Sequence, residues 1–460
     1  MDAQCSIRKA DGVPKMIPLV AIVGRPNVGK STLFNRLIGE KKAIVLDTPG
    51  VTRDRNYGEA SWRKRAFNVV DTGGFEPRAE EGVTAAMRRQ ALLAVDEADA
   101  VLFVTDARDG LMPADREVAA ILRSAECPVL FVVNKVDSRT LEGAAAEFYK
   151  LGADEIYSVS SEHGLGVGRL LDALVGYFPK VKPEEDDARL TRVALLGRPN
   201  AGKSTLTNRL LGDDRMIVDS EPGTTRDAVD SLVTWKDKQY VFIDTAGLRR
   251  KRGIDQKSSE GYSVVRTIRA MERCHVAVCL IDANEGITEQ DQRIIGMAVE
   301  RGRALVIGIN KWDAVEKDHK TLDDYSKEVY RMMPFVAWAP HVFISGLRGT
   351  RIAQLMRLID ESRAAHLIRI STGPLNRWLE HSTNQHHPPI HKNRRLRLYY
   401  ATQARNAPPT IVVSCNDPDA IHFSYKRYLI NQFREAFDVK GTPVKLVFKG
   451  KKNPYVDNEG

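Results

Sequence analysis

The residue types that could act on phosphate come in two matched sets. Gly24, Arg25, Pro26, Asn27, Val28, Gly29, Lys30 and Ser31 spell Gly-x-x-x-x-Gly-Lys-Ser, and Gly197, Arg198, Pro199, Asn200, Ala201, Gly202, Lys203 and Ser204 spell it again 173 positions later. The glycines let backbone N–H groups curl around phosphate oxygens, and a helix starting at the lysine adds the positive end of its dipole. Lys30 or Lys203 then reaches the terminal phosphates, while Ser31 or Ser204 offers a hydroxyl to magnesium. A plain tight turn would not require the Lys-Ser pair, and two occurrences in matching context argue against coincidence.

Asp71, Thr72, Gly73 and Gly74 recur as Asp244, Thr245, Ala246 and Gly247, again 173 positions on. In such an Asp-x-x-Gly segment at a strand end the carboxylate can support magnesium and the glycine amide can sense a γ-phosphate. Asn134, Lys135, Val136 and Asp137 recur as Asn310, Lys311, Trp312 and Asp313 at an offset of 176, with Asp106/Asp282 and Asp115/Asp291 at the same spacing. Asp137 or Asp313 can accept two N–H bonds from the guanine edge, which adenine cannot supply. A site built to bond one group can reject analogues lacking it by roughly 10⁴ or more, so the nucleotide is expected to be GTP rather than ATP. Phe75 and Leu248 follow the Asp-x-x-Gly segments, and neither side chain can orient a water. Hydrolysis is therefore expected to be slow or differently assisted, and a nucleotide-gated binding protein with vestigial hydrolysis stays open as the alternative.

These loops need strands to carry them. Apolar runs at 19–23, 100–105 and 129–133 read as buried strands, and 31–38 reads as a helix. Such alternation predicts an α/β domain, a mostly parallel sheet with helices on both faces, and the repeat predicts two of them in tandem. We expect a polar extension at 1–16, the first domain at 17–181, an acidic linker at 182–188 and the second domain at 189–364. A small α+β module at 365–450 and a basic, polar tail at 451–460 complete the division. In the module, 375–380 and 425–437 read as helices and 395–402, 411–415 and 444–449 as strands. Tyr425, Leu429, Phe433 and Phe437 form its inner helix face, with Lys426, Arg427 and Arg434 outward.

The 460 residues suit about three domains, and none of the apolar runs approaches the about 20 residues of a membrane helix. No secretory signal is read at the start, and the five cysteines form no Cys-x-x-Cys pair, which points to reduced thiols in a cytoplasmic protein. From position 361 to 460 there are 16 Lys and Arg against 8 Asp and Glu, a surplus that accounts for most of the formal +9 and points to a polyanionic partner.

From about Met16 onward the chain resembles the bacterial tandem-GTPase family Der, also called EngA. The resemblance is carried by the paired loops, each with its Asp-x-x-Gly and Asn-Lys-x-Asp, and by the basic terminal module. It implies two P-loop GTPase domains followed by a KH-like domain, hydrolysis of GTP to GDP and phosphate, and action in assembly of the large (50S) ribosomal subunit. Nucleotide state would gate binding to the ribosome and its rRNA, and the protein would be monomeric away from the ribosome. The resemblance further implies that Thr52 and Thr225, in the Pro-Gly-x-Thr-Arg-Asp segments, contact Mg2+ and the γ-phosphate. Ser160-Ser161 and Ser345-Gly346 stand where the family has Ser-Ala, whose backbone N–H meets the guanine oxygen, and Asn27 and Asn200 would help hold K+. A tRNA-modifying GTPase shares such loops but lacks the duplication and the terminal module.

KH domains that clamp single strands use Gly-x-x-Gly, a spacing absent among Gly373, Gly441, Gly450 and Gly460. The basic runs 392–397 and 449–452, with Tyr399 and Tyr400, are the candidates for phosphates and bases. His381, His386, His387 and His391 have no cysteine or acidic partner at metal spacing.

Overall fold

The computed structural model describes residues 17–39, 57–63, 65–72, 88, 91–92, 98–178, 190–212, 217–218, 230–244, 260–316, 321–388, 390–391 and 394–450. In the first unit β1 (Leu19–Val23), β3 (Arg65–Asp71), β4 (Ala100–Asp106), β5 (Val129–Asn134) and β6 (Ile156–Ser158) pair in parallel. Antiparallel β2 (Tyr57–Trp62) closes one edge, giving the order β2-β3-β1-β4-β5-β6. Side chains alternate across a strand, so β1 feeds two cores. Val20 and Ile22 pack with Phe34, Leu170 and Leu174 on one face, while Leu19, Ala21 and Val23 pack with Val118, Leu122 and Phe148 on the other. Every residue of β4 is buried, as a strand covered on both faces by helices must be.

The second unit repeats this plan with β7 (Leu190–Leu196), β8 (Ile217–Val218), β9 (Ser231–Trp235), β10 (Lys238–Ile243), β11 (Val276–Asp282), β12 (Ala304–Asn310) and β13 (His341–Phe343). Their order is β13-β12-β11-β7-β10-β9-β8, so each glycine-rich loop leaves a central strand of its sheet.

In the third unit the helix Thr372–Gln385 precedes a hairpin of β16 (Leu398–Arg405) and β17 (Thr410–Cys415). The helix Phe423–Phe437 then crosses over to β18 (Lys445–Gly450), which pairs parallel to β17. Leu375, Trp378, Leu379, Ile411, Val413, Leu429 and Phe433 form its core. The first helix begins three residues before the expected 375 because Pro374, in its first turn, occupies a position where the missing N–H costs nothing. The single strand expected at 395–402 is instead two, β15 (Arg394–Arg395), paired with β14 (Ile390–His391), and then β16.

Arg434 corrects another expectation. It turns inward, its guanidinium 4.7 Å from the Trp338 ring centroid and donating to the Val439 and Thr442 carbonyls at 2.8 Å each. Burial pulls it down to about 10. The same seam joins the second and third units through Leu305 N–H to the Gly441 carbonyl and Gly441 N–H to the Trp338 carbonyl. Gly441 has φ +72, and a Cβ there would lie 2.0 Å from Ser362 Oγ, so this approach needs glycine.

Candidate nucleotide sites

β1 and β7 end at the two glycine-rich loops, and helices start at Lys30 and Lys203 (Lys30–Ile38 and Lys203–Leu211). Gly29 and Gly202 precede them with φ 92 and 93. A Cβ would stand 2.3 Å from Asn134 Nδ2 in the first case and 2.1 Å from Asn310 Nδ2 in the second, so close packing of two motifs also demands glycine. Asn27 and Asn200 both have φ 66, a left-handed conformation that asparagine tolerates, and both are exposed at the loop tip beside Pro26 and Pro199. Lys30 Nζ donates to the Gly24 and Arg25 carbonyls at 2.7 and 2.6 Å, and Lys203 Nζ to the Gly197 and Arg198 carbonyls at 2.6 and 2.7 Å. Each ammonium is thus held along the inner wall of its loop. Burial pulls Lys30 down to about 8, with Asp71 opposing the shift and Arg25 adding to it.

Asp71 is buried at the end of β3, and Ser31 Oγ donates to its Oδ2 at 2.6 Å. A hydroxyl and a carboxylate this close at the mouth of the loop are the hard oxygen donors magnesium requires. Thr72 Oγ1 ties β3 to β1 by donating to the Ile22 carbonyl at 2.6 Å. In the second unit Ser204 lies in the first turn of its helix, and Asp244, with φ 60, donates its N–H to Asp230 Oδ1 at 3.0 Å. Thr52, Gly73, Gly74, Phe75, Thr225, Thr245, Ala246, Gly247 and Leu248 lie outside the described residues.

The Asn-Lys-x-Asp motif closes against the glycine-rich loop in both units. Asn134 Nδ2 donates to the Val28 carbonyl at 2.8 Å and Asn310 Nδ2 to the Ala201 carbonyl at 2.9 Å. On the other side Asn134 Oδ1 accepts the Ser161 N–H at 3.0 Å, and Asn310 Oδ1 accepts the Gly346 N–H at 2.9 Å. A guanine oxygen that meets these N–H groups must therefore share each donor. Ser160 and Ser345 bridge to Leu165 and Thr350, which shapes the loop behind them. Lys135 and Lys311 have φ 65 and 61 and pair with Asp106 and Asp282 at 2.5 and 2.6 Å. Val136 N–H bonds the Val159 carbonyl, and Trp312 N–H the Ile344 carbonyl, which anchors each motif to the neighbouring strand end.

Two arginines that sequence reasoning did not single out touch Asp137 and Asp313. Arg108 hydrogen-bonds Asp137 and holds its carboxyl below the usual range, while Arg348 lies 3.5 Å from Asp313. They come from unrelated loops, so no shared spacing signals them. If Asp137 reads a guanine edge as its motif leads us to expect, Arg108 would compete for the same oxygens, and Arg108→Ala would then raise the GDP affinity of the first site by no more than about fivefold for an exposed pair. Calorimetry of the variant against the wild type checks this.

In the third unit Tyr399 and Tyr400 are about half exposed, and Arg397 and Lys449 are exposed as well. Tyr400 pairs with Ser414 and Ser414 with Lys449, one row across the sheet face turned away from the helices. Positions 392, 393, 451 and 452 fall outside the described residues. His386 stacks on Tyr425 at 6.1 Å and lies tilted against Tyr428 at 5.3 Å, and His381 bonds Gln385 at 2.9 Å. Among the described residues no group of three or more His, Cys, Asp or Glu could hold a metal ion.

The chain is similar to known proteins over nearly its whole length. A family model for a 50S ribosome-binding GTPase matches residues 19–135 and 192–311, and one for the C-terminal KH-domain-like part of EngA bacterial GTPase enzymes matches 369–449. The chain is 48% identical over 436 residues to a GTPase Der of Geobacter metallireducens, covering 95% of this chain and 99% of that one. With a GTPase Der of Syntrophotalea carbinolica it shares 49% over 434 residues, 94% and 98% of the two chains. An Era variant from Aquifex aeolicus, solved with GDP and aluminium fluoride, is 24% identical over 56% of this chain and 87% of its own, with a TM-score of 0.30.

Proposed function

Because the chain belongs to the GTPase Der family, whose members are GTP hydrolases with two GTPase domains and a KH-like C-terminal domain, we propose that both sites turn over GTP and that their nucleotide state gates binding to the large ribosomal subunit during its assembly. The observation that carries this reading is the duplication: each unit closes its own Asn-Lys-x-Asp on its own phosphate loop through the same asparagine bonds. A relic site would have no need of the full set.

In each site Lys30 or Lys203 lies along the loop where the β- and γ-phosphates would sit and offsets the charge that phosphoryl transfer develops there. Asp137 and Asp313 select guanine, and Ser160, Ser161, Ser345 and Gly346 close the base pocket. Ser31, Thr52 and Asp71, and Ser204, Thr225 and Asp244, are the residues proposed to hold Mg2+, which when bound would neutralise charge developing on the phosphates. Asn27 and Asn200, exposed at the loop tips, are the proposed contacts for K+, which would supply positive charge where other systems place an arginine. Hydrolysis is accordingly expected to be faster in potassium than in sodium at equal ionic strength. Asn200→Ala should erase that difference in the second domain with GDP affinity nearly unchanged, and equal rates in the two salts would sink the assignment.

The third unit, at 365–450, is the proposed contact with rRNA, and the protein is proposed to be cytoplasmic and monomeric away from the ribosome. No described helix is long and apolar enough to cross a membrane. Sedimentation with 50S subunits should show more protein bound with a non-hydrolysable GTP analogue than with GDP. Charge reversal at Arg397 and Lys449 should weaken that binding most at low salt and flatten its salt dependence, by about 0.7 in log–log slope per lost contact. Equal sedimentation in every nucleotide state would contradict the gating.

A further inference from the structure

Asp115 and Asp291 share the 176-residue spacing of the base-reading motifs, yet no role above accounts for them. Both are buried, each three residues into a helix (Pro113–Leu122 and Glu289–Glu300), and both face the arginine of a phosphate loop. In the first unit Arg25 Nε donates to Asp115 Oδ1 at 2.8 Å, with side chains 13% and 0% exposed. In the second, Arg198 Nε and Asp291 Oδ2 are 3.1 Å apart, with side chains 12% and 1% exposed. A more exposed acid completes each clasp, Asp109 at 3.4 Å from Arg25 Nη1 and Glu285 against Arg198.

We propose that Asp115 and Asp291 are positioning residues for the phosphate-loop lysines. The route has two bonds. The aspartate fixes the arginine side chain, and the same arginine's backbone carbonyl accepts the lysine ammonium, at 2.6 Å in the first unit and 2.7 Å in the second. A loop allowed to drift would carry that carbonyl, and with it Lys30 or Lys203, away from the phosphates. The proposal rests on the reading of these loops as GTP sites.

Fold stability alone is a weak explanation for the pair. Buried ion pairs are often replaced by apolar residues without loss, because desolvating two charges consumes most of their attraction. What an ion pair does that an apolar contact does not is fix direction. The surrounding bonds suit that purpose. Asp115 Oδ2 also accepts the Met112 N–H at 3.1 Å, and Asp291 Oδ2 accepts the Thr288 N–H at 3.1 Å and hydroxyl at 2.7 Å, so each carboxylate is itself immobilised at a helix start. The other end of the same segment holds the base-reading lysine, through Asp106–Lys135 and Asp282–Lys311. One ten-residue segment therefore grips both the phosphate loop and the base loop of its unit.

The two clasps are not equally tight. Arg25 makes a hydrogen bond, whereas the Arg198–Asp291 contact has ion-pair distance without hydrogen-bond alignment, and Asp291 Oδ1 is buried with no hydrogen-bond partner among the described residues. The first unit should depend on its clasp more than the second.

The test uses the full chain with one site silenced. In a Lys203→Ala background, Asp115→Ala, Arg25→Ala and the double variant are compared by GDP titration and by single-turnover hydrolysis at saturating GTP. The mirror set, Asp291→Ala and Arg198→Ala, is read in Lys30→Ala. Each single change should slow the saturated rate by about 10- to 100-fold, the scale of a misplacement near 1 Å, with a smaller loss of GDP affinity. The double variant should be no slower than the worse single, since both act on one carbonyl. A role in folding alone would change the active fraction but not the rate per bound nucleotide. Should Asp115→Ala fail to fold, Asp115→Asn keeps one acceptor, for Arg25 or for the helix start but not for both, while removing the charge, and should still be slowed. Wild-type rates per bound GTP in the folded variants, or losses that multiply in the double, would overturn the proposal. A parent chain that binds no guanine nucleotide would overturn the underlying reading instead.

Discussion

Asparagine at position 313 will cost the second site its guanine nucleotide, by about 10² to 10⁴ in affinity, and will admit xanthosine nucleotides in its place. The carboxylate of Asp313 is an acceptor at both oxygens and can take the two N–H groups of the guanine edge. Asp313→Asn replaces one acceptor with an NH2 group, which faces a guanine donor with another donor and suits the extra carbonyl of xanthine. The loop is well braced for such discrimination. Trp312 packs 4.3 Å from Phe343 and bonds Ile344, and the Asp313 side chain is only 15% exposed. Asp137→Asn should act in the same sense but less strongly, because the Asp137 carboxylate is 28% exposed and already shared with Arg108. Competition of GDP with its xanthosine counterpart at each site measures both, and undiminished guanine preference in the two variants would remove the assignment of these loops.

The difference between what the residues disclosed and what the folded chain added follows from range. A phosphate loop, an Asp-x-x-Gly and an Asn-Lys-x-Asp are contiguous stretches whose residue types are fixed by local chemistry, so their positions at strand ends could be read directly. The inner face of the last helix was equally legible, since Tyr425, Leu429 and Phe433 fall one turn apart and are buried together. Arg434 was not, because what turns it inward is Trp338, a residue of another unit nearly a hundred positions away. Arg108 and Arg348 escaped for a related reason: each reaches its aspartate from a different loop, and no periodicity marks either. Asp115 and Asp291 are an intermediate case. Their spacing stood out in the sequence, but their partners lie about 90 positions upstream, and only packing shows that the carboxylate meets an arginine at all.

Removal of either loop lysine should leave a chain that binds one guanine nucleotide where the wild type binds two. Lys30→Ala and Lys203→Ala each delete an ammonium that two loop carbonyls already hold in place, and no second cation of the loop is bonded along the same wall. Charge-assisted bonds to two phosphates make the expected loss at least about 100-fold in affinity at the altered site. Calorimetric stoichiometry decides the matter, and a wild-type value of one would demote one unit to a regulatory relic. The first site carries a further signature in pH. Burial holds Lys30 near 8, so the free site is charged below that value and increasingly neutral above it, while a bound phosphate favours the charged form and raises it. Affinity should thus be level below pH 8 and fall by about tenfold per pH unit above it, with uptake of a proton on binding. The groups that set this balance are Asp71, which favours the ammonium, and Arg25, which opposes it. In Lys30→Ala the pH-dependent limb should vanish from the first site along with the affinity, whereas a limb that persisted would have to belong to another group.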